Sequence, residues 1–385
     1  MDEGQIKPVD YSPSKKPVYI ITFLLILLLV EIAVIITLLV GRNRQPEVKI
    51  QPTPIPTVTT IPQDNTSTSS SIVYSRDNNI WSVRPDGTQL RQITRDGDGT
   101  TITYPSYMFI DKDILVFIKC IISQSSCSVI ERNLITDTET PGIDIPTLIT
   151  NYSQSTDNDP VFAYITSASS GSSNLVMKIG DNTETIIEFA PGLGRGGSFS
   201  DEQSLKFSAN NQYLLVVNTG TQPNIDDDKT SIWIVDKKGN IVDTIGGDFA
   251  SNAVWESNNR ILYLQSGNLY RRVVGSESTL IGPLDGYNIS MSSDGKTFLY
   301  WNTSDDGTTI VNTYTLADNK TQEVTGNISS PKWVDLNSFA GFSTIKSEES
   351  MFGFELDGLV NYSIANSKIT TLDSNSSIWN VVVSP

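Results

Sequence analysis

A short two-strand phrase recurs along most of the chain, and it limits the fold more than any other feature. From residue 72 onward, alternating apolar and polar residues predict short strands separated by Gly, Asn, Asp and Ser turns, without helical periodicity. The phrase joins two strands through a polar turn and occurs at 207–217, 255–264 and 291–300, with weaker copies at 108–118, 155–165 and 333–342. The copies begin about 36 to 53 residues apart, the spacing typical of four-stranded propeller blades.

The two ends of the repeat region supply one further copy of this phrase. Residues 378–384 form a predicted strand that stops where its turn should begin, and residues 72–75 form a second strand that lacks its first. Pairing these two segments would cover the strand edges that an open ring of blades exposes. The sequence therefore predicts an all-β fold, a seven-bladed β-propeller over residues 72–385, in which strand 378–384 closes the first blade. Six or eight blades are the alternatives.

Two stretches of the repeat carry a family resemblance. Ser-Ser-Asp-Gly-Lys-Thr-Phe-Leu-Tyr at 292–300 and Asn-Ile-Trp-Ser-Val-Arg-Pro-Asp-Gly at 79–87 resemble the repeats of TolB-like propellers, within the broader WD-type group. The non-catalytic propellers of prolyl-oligopeptidase-type enzymes look similar. The resemblance implies a propeller fold and, for TolB-like members, protein partners in the cell envelope. It implies little about activity, because one fold hosts many functions.

A continuous apolar segment near the N-terminus predicts one transmembrane α-helix. The segment 18–41 begins at Val18, ends at Gly41 and is apolar apart from Thr22, Glu31 and Thr37. As an α-helix it would span about 36 Å, against about 30 Å of hydrocarbon. It is longer than the apolar region of a cleaved signal peptide and is not followed by a small-residue cleavage site. We therefore expect a retained anchor in contact with membrane lipid.

Glu31 lies near the middle of this predicted helix. A carboxylate at that depth costs on the order of 2–3 kcal/mol and is usually functional or paired. One hypothesis is an intramembrane contact with another helix. The alternative is a protonated Glu that a very apolar span tolerates.

The segment 42–71 has the composition of a disordered stalk. Its first part contains five prolines, which favour an extended chain, and residues 65–71 are a Ser/Thr-rich run that cannot bury a core. A stalk of this kind is typical of a domain displayed away from a membrane. Its position predicts the order of a short tail at 1–17, a helix, the stalk and the propeller.

The orientation of the helix depends on two cysteines rather than on charge. Three Lys or Arg precede the helix and three follow it, so the positive-inside rule does not decide. Cys120 and Cys127 flank a short polar stretch, as the cysteines of a hairpin disulfide do, and disulfides persist in oxidising compartments. Two unpaired thiols are the alternative. The candidate disulfide and the stalk favour a cytoplasmic N-terminus and an extracytoplasmic propeller.

Charge and composition exclude several classes of function. The net charge of −16 belongs entirely to residues 72–385, because residues 1–71 hold six Lys or Arg and six Asp or Glu. Such a domain repels phosphate backbones, so nucleic acid is not an expected partner. The chain has no His, which removes Ser-His-Asp and Cys-His catalysis and His-ligated zinc. Two cysteines are too few for a thiolate metal site.

Motif-like stretches have simpler explanations. The glycines of 192–197 match a dinucleotide-binding pattern, but no predicted helix follows them. The segments 96–99 and 226–228 could offer carboxylates to Ca²⁺, but both lack the longer alternating series of ligands. We expect no cofactor, with Ca²⁺ as the open alternative, and we nominate no catalytic residue.

The sequence thus favours a non-enzymatic protein-binding or scaffolding module on a single-pass membrane anchor at the cell surface. The alternative is a carboxylate-dependent glycoside hydrolase or a lectin-like polysaccharide-binding propeller. Glycoside hydrolysis needs only two carboxylates, which this acidic domain could supply, although the sequence singles out no pair.

Overall fold

The computed structural model describes residues 70–167, 173–189, 205–217, 230–246, 250–284, 286–303, 308–347, 354–375 and 377–384. These residues belong to the second of two compact units, Ser67–Pro385, and none belongs to the first, Met1–Thr66. The predicted helix at 18–41, Glu31, most of the stalk and the segments 192–197 and 226–228 lie outside them. Within the described part of the chain, no helix is long and apolar enough to cross a membrane.

Seven antiparallel sheets follow one another along the chain, and this arrangement confirms the predicted all-β, seven-bladed propeller. Each sheet is one blade. The first strands of neighbouring blades contact one another around most of the ring, so these strands are the innermost and surround the central channel. The chain then crosses each blade outward, by antiparallel pairing, to an edge strand.

The first four blades contain sixteen strands and one short 3₁₀ helix, to which the C-terminal strand is added. They comprise β1 (Ile72–Arg76), β2 (Asn79–Val83) and β3 (Arg91–Gln92); β4 (Ile102–Thr103), β5 (Tyr107–Asp111), β6 (Ile114–Ile121), the 3₁₀ helix Ile122–Gln124, β7 (Ser126–Asn133) and β8 (Thr138–Ile145); β9 (Ile149–Gln154), β10 (Val161–Ser167), β11 (Ser173–Ile179) and β12 (Asn182–Phe189); and β13 (Leu205–Phe207), β14 (Tyr213–Val217), β15 (Thr230–Asp236) and β16 (Ile241–Gly246). In the second blade β4 and β5 both pair with β6, so its innermost strand is interrupted.

The last three blades are regular four-stranded sheets. They comprise β17 (Ala250–Ser257), β18 (Arg260–Gln265), β19 (Asn268–Val273) and β20 (Ser278–Pro283); β21 (Tyr287–Met291), β22 (Thr297–Thr303), β23 (Thr309–Thr315) and β24 (Lys320–Gly326); and β25 (Ile328–Asp335), β26 (Ser338–Lys346), β27 (Phe354–Ser363) and β28 (Lys368–Asp373), followed by β29 (Ile378–Val383).

The C-terminal strand supplies the innermost strand of the first blade. β29 pairs antiparallel with β1, and Ile72 lies opposite Val383. Beyond the strand, the Ser384 N–H donates to the Ser71 carbonyl at 2.9 Å and the Ser71 N–H donates to Ser384 Oγ at 2.7 Å. The two ends of the described chain thus meet as neighbouring strands. This is the arrangement predicted from the two half-copies of the repeat at residues 72–75 and 378–384.

The same serine contacts recur inside other blades, where the turn is unbroken. Ser292 donates its N–H to the Thr297 carbonyl at 2.8 Å and accepts the Thr297 N–H on Oγ at 3.1 Å. Ser155 forms the same pair of bonds with Val161. Ser and Asp or Asn side chains satisfy the backbone of tight turns, which explains why these residue types mark the repeat. Ser384 therefore holds the position of a turn serine at the point where the chain ends.

The core consists of apolar layers between adjacent blades. One layer joins the last and first blades through Tyr74, Val83, Ala340, Phe342, Leu359, Leu372 and Val381, all of them buried. Strands that are buried on both faces between blades have largely apolar sequences. This apolar pattern is what revealed the repeat in the sequence.

One strand boundary differs from the prediction. The weak phrase at 155–165 was expected to begin with a strand, but the innermost strand of that blade is β9, which ends at Gln154. The strand is missed because it contains polar residues, and the sequence does not show that Asn151, Ser153 and Gln154 are all buried. Pattern reading assigns such residues to loops, whereas here they lie among strands around the channel.

Candidate ligand-binding site

A pocket of about 160 Å³ lies at the C-terminal ends of five innermost strands, β13, β17, β21, β25 and β29. We call it the channel pocket. It is lined by Lys206, Leu215, Ala253, Val254, Trp255, Ser290, Met291, Lys332, Trp333 and Val383. Apart from Leu215 on β14, these residues belong to the innermost strands, so the ring of blades itself brings them together, although they are up to 177 residues apart in the sequence.

Trp255 and Trp333 hold equivalent positions in two blades, each two residues before the end of its innermost strand. The Trp255 indole N–H donates to the Lys206 carbonyl at 2.9 Å, and that of Trp333 donates to the Ser290 carbonyl at 2.8 Å. Each bond reaches the preceding blade, so each ring is fixed across a blade interface. The hydrogen-bond donors of both indoles are thereby satisfied, and the surfaces that face the pocket are the apolar parts of the rings.

The neighbours of these indoles reinforce their placement. Trp255 stacks with Tyr213, their ring centroids 6.4 Å apart and their planes 27° from parallel. Trp333 packs against the layer that contains Leu299, Phe339 and Tyr362. Both indoles remain partly exposed, as the walls of a ligand pocket must be.

Two lysines are among the residues that line the channel pocket. Lys206 and Lys332 line it, and no Asp or Glu among the described residues does.

A second, more open cleft of about 590 Å³ lies where the last blade meets the first. It is lined by Arg76, Leu90, Thr371, Leu372, Asp373, Ser374 and Asn375. Arg76 bonds the Asp373 carboxylate at 2.9 Å, and its guanidinium carbon is 4.6 Å from the centre of the Trp81 ring. Because the charged groups of the cleft satisfy one another, they serve the junction between blades, and we regard the channel pocket as the better candidate.

The candidate disulfide is present in the structure. Cys120 on β6 lies directly opposite Cys127 on β7, and a disulfide joins them with their Cα atoms 4.0 Å apart. Both residues are buried in the layer between the second and third blades. Neither lines the channel pocket, so the bond braces the hairpin that turns through the 3₁₀ helix Ile122–Gln124.

The acidic turn at 96–99 uses its carboxylates internally. Asp98 accepts the Thr101 hydroxyl and the backbone N–H groups of Thr100, Thr101 and Ile102, and these bonds hold the pKa of its carboxyl well below the ordinary range. Asp96 accepts from Tyr104 and Lys119. No three His, Cys, Asp or Glu side chains cluster as metal ligands in the described ranges. The expectation of no cofactor, with Ca²⁺ as the alternative, stays a prediction.

Two bidentate ion pairs also have structural positions. Arg272 bonds both carboxylate oxygens of Asp243 at 2.9 and 2.6 Å, and Arg271 bonds both of Glu256 at 2.8 Å. Burial raises the pKa of Asp243, but the bonds from Arg272 and from the Gly275 N–H outweigh it and leave that pKa below its usual value. These pairs tie strands together and contribute no side chain to the channel pocket.

Sequence reasoning missed the channel pocket itself. Trp255 and Trp333 bridge blades through their indole hydrogen bonds, and they line the pocket as well. A signal was present, since both stand at the same position of the repeated phrase. Lys206 and Lys332 precede the aromatic residues Phe207 and Trp333 in the same way. Equivalent positions in a propeller repeat meet at one level of the channel.

Comparison with known proteins shows the fold and no more. No family model and no curated protein matches the sequence. Among solved structures, the tricorn protease matches with a TM-score of 0.56 and 8% identity over 82% of this chain and 34% of that chain. A prolyl endopeptidase matches with a TM-score of 0.50 and 12% identity over 82% of this chain and 50% of its own. TolB from Acinetobacter baumannii matches with a TM-score of 0.41 and 12% identity over 66% of this chain and 63% of that chain.

The strand topology is that of a β-propeller, and the tricorn protease and the prolyl endopeptidase share this fold at TM-scores of 0.56 and 0.50. This chain spans only about a third of the tricorn protease and half of the prolyl endopeptidase. Identities of 8 to 12% carry no activity from those proteins to this one.

Proposed function

We propose that this chain is a membrane-anchored, non-enzymatic binding module, whose channel pocket captures part of a protein partner at the cell surface. The observation that carries the proposal is the pair of indoles, Trp255 and Trp333, fixed across blade interfaces and facing a small pocket. Buried aromatic anchors in small pockets supply much of the affinity in protein recognition. The rigid placement of both rings means that little side-chain freedom is lost when a ligand binds.

The distribution of ionisable groups supports binding over catalysis. The chain has no His, and the carboxyls whose pKa the fold shifts, including Asp98 and Asp243, are held by turns and ion pairs. Active sites usually place such perturbed groups in a cleft. The channel pocket is instead lined by two indole rings and by Met291, and surfaces of this kind suit recognition.

The location at the cell surface is supported by separate features. The apolar segment from Val18 to Gly41 is long enough to anchor the chain, and the Cys120–Cys127 disulfide suits an oxidising compartment. We propose that residues 1–17 are cytoplasmic and that the propeller is extracytoplasmic.

Site-directed photo-crosslinking in membranes tests this function. A photoreactive amino acid in place of Met291, which lines the pocket, should cross-link to a defined partner in cells that express the full chain. The same amino acid in place of Leu280 is the matched control, since Leu280 is 56% exposed on the edge strand β20. Adding Trp255→Ala and Trp333→Ala should abolish the Met291 product. Identical products from both positions, or a Met291 product that survives loss of both indoles, would contradict the proposal.

The second candidate is a lectin-like polysaccharide-binding propeller, which the indole surfaces and lysines also favour. A glycoside hydrolase is less well supported, because no carboxylate among the described residues lines the channel pocket. Binding of the purified full chain to an array of acidic and neutral polysaccharides, lost on Trp255→Ala, would support this candidate in place of the first.

A further inference from the structure

We infer that the propeller is N-glycosylated at Asn319, in the turn between β23 and β24, by transfer from a lipid-linked oligosaccharide. This inference is independent of the channel pocket and rests only on the extracytoplasmic location that is part of the proposed function. It starts from the sequence, because N-linked glycans require an Asn-x-Ser/Thr triplet. Seven asparagines of residues 72–385 begin such a triplet, namely Asn151, Asn288, Asn302, Asn319, Asn327, Asn361 and Asn375.

Burial closes three of these triplets in the folded protein. Asn151 lies in the innermost strand β9 and Asn361 in β27, and their exposed fractions are only 3% and 9%. A glycan is large and strongly hydrated, so the packed blades would have to separate to accommodate one at either position. Asn327 is exposed, but Ser329, which completes its triplet, is 3% exposed within β25.

Two further asparagines are partly buried and use their side-chain amides within the fold. The Asn302 side chain on β22 accepts a hydrogen bond from the neighbouring strand β23 at 3.1 Å. The Asn375 side chain accepts the Ser377 N–H at 2.7 Å and donates to an Asp77 carboxylate oxygen at 3.4 Å. The side chain of Asn288 lies outside the described part of the molecule.

Asn319 differs because its whole triplet lies on the outer rim of the sixth blade. It is the last residue of a four-residue turn, 316–319, which the pairing of Thr315 with Lys320 closes. Asn319 is exposed, and so is Thr321, the hydroxyl residue of the triplet, which follows on the outermost strand β24. An enzyme can therefore reach this triplet without any opening of the fold.

The turn itself does not require an asparagine at this position. Its last residue has a left-handed backbone, with φ +55° at Asn319. Equivalent four-residue turns in the second and seventh blades place Asp137 (φ +60°) and Ser367 (φ +53°) at the same point, and neither begins a triplet. Backbone conformation therefore explains why a small polar residue stands here, whereas it does not specify the complete triplet.

The reaction joins the exposed amide to an activated sugar. The Asn319 side-chain nitrogen bonds to the anomeric carbon of a lipid-linked oligosaccharide phosphate and loses one proton. The bond from that carbon to the phosphate oxygen breaks, and the lipid phosphate leaves with the electron pair. The membrane-bound transferases that catalyse this step act outside the cytoplasm, where the Cys120–Cys127 disulfide also persists.

A glycan at this position would also protect an open strand edge. Among the described strands β24 pairs only with β23, so its outer edge is unpaired. Unpaired edges of this kind invite pairing with other chains. A bulky, hydrated group at Asn319, next to the first residue of β24, would hinder such pairing.

Glycopeptide mass spectrometry of the full chain, isolated from its native membranes, tests the inference. We expect a glycan on the peptide that contains Asn319 and none on the peptides that contain Asn151 and Asn361. Thr321→Ala should abolish the modification because it destroys the triplet, whereas Thr321→Ser should retain it. An unmodified Asn319 in the wild type, which needs no substitution, would overturn the inference, and so would a glycan that survives Thr321→Ala.

The seventh blade offers a matched control that gains a triplet. Ser367, Lys368 and Ile369 hold the positions of Asn319, Lys320 and Thr321, and Ile369 is 51% exposed. The double variant Ser367→Asn and Ile369→Thr should therefore gain a second glycan, while Ser367→Asn alone should not. No gain in the double variant would overturn the argument that an exposed turn and a complete triplet suffice.

Labelling of intact cells separates this inference from the location on which it rests. A membrane-impermeant amine reagent should label Lys320 and Lys368, both exposed, because the propeller lies outside the cytoplasm. An unmodified Asn319 in a labelled chain would overturn glycosylation alone. An unmodified Asn319 in an unlabelled chain would overturn the location as well, while the Met291 cross-link would still test the channel pocket separately.

Discussion

The hydroxyl of Tyr74 on the first blade donates a 2.6 Å hydrogen bond to the carboxylate of Asp373 at the end of the last blade. Arg76 bonds the same carboxylate oxygen at 2.9 Å, and only 5% of the Asp373 side chain is exposed. Burial, with the bond to Asp373, raises the pKa of Tyr74 well above its ordinary value, so the hydroxyl keeps its proton. This side-chain contact supplements the strand pairing that closes the ring.

Loss of the Asp373 carboxylate should destabilise the propeller. Asp373→Ala leaves a buried hydroxyl and a guanidinium without their shared acceptor, so we expect the free energy of unfolding to fall by about 3 kcal/mol. Urea unfolding measures this change. Asp318→Ala is the matched control, because Asp318 pairs with Lys320 at the surface and such pairs contribute about 0–1 kcal/mol. Equal effects of the two substitutions would show that the Tyr74 contact does not stabilise the closure.

Removal of the disulfide should destabilise the second blade. The bond joins residues separated by seven positions, and closing so short a loop in the unfolded chain is worth about 2.5 kcal/mol. The double variant Cys120→Ala and Cys127→Ala should therefore unfold at a lower temperature than the wild type. A thiol reductant should lower the unfolding temperature of the wild type and leave that of the double variant unchanged. A reductant-induced shift in the double variant would mean that the effect does not arise from this bond.

The loss of folding stability at acid pH should depend on Asp243. The pKa of this carboxyl is lowered in the folded state, because the bonds from Arg272 and Gly275 outweigh the effect of burial. Its contribution to stability is therefore complete above the unfolded pKa of about 3.9 and is lost as the pH falls through the lower folded value. Urea unfolding between pH 7 and pH 2.5 should show this loss below about pH 4. Asp243→Asn should be less stable at pH 7 and lose less on acidification, whereas Asp318→Asn should follow the wild type.

The parts of this fold that could be predicted are those repeated in the sequence. Apolar strands and Ser-x-Asp turns, such as Ser292 with Asp294, recur along the chain because every blade packs against its neighbours in the same way. The number of blades and the closure of the ring could therefore be predicted from the sequence. β9 was misplaced because its buried polar residues break the apolar pattern. The channel pocket was missed for a different reason. Trp255 and Trp333 each bond the preceding blade, and only the curvature of the ring brings them to one pocket.

The close approach between the fifth and sixth blades gives a sharper test of the packing. Gly295 has φ +66°, and a Cβ at this position would lie 2.9 Å from the Glu256 carbonyl oxygen of the neighbouring blade. Gly180 also has positive φ, at +57°, but a Cβ there would meet no atom within 4 Å. Gly180→Ala should therefore cost about 1 kcal/mol of stability for the backbone conformation alone. Gly295→Ala should cost that amount and about 1–2 kcal/mol more, because backbone on one side of the contact must move. Equal losses in urea unfolding would mean that the two blades are free to separate at this point, and that their spacing is set by the buried side chains instead.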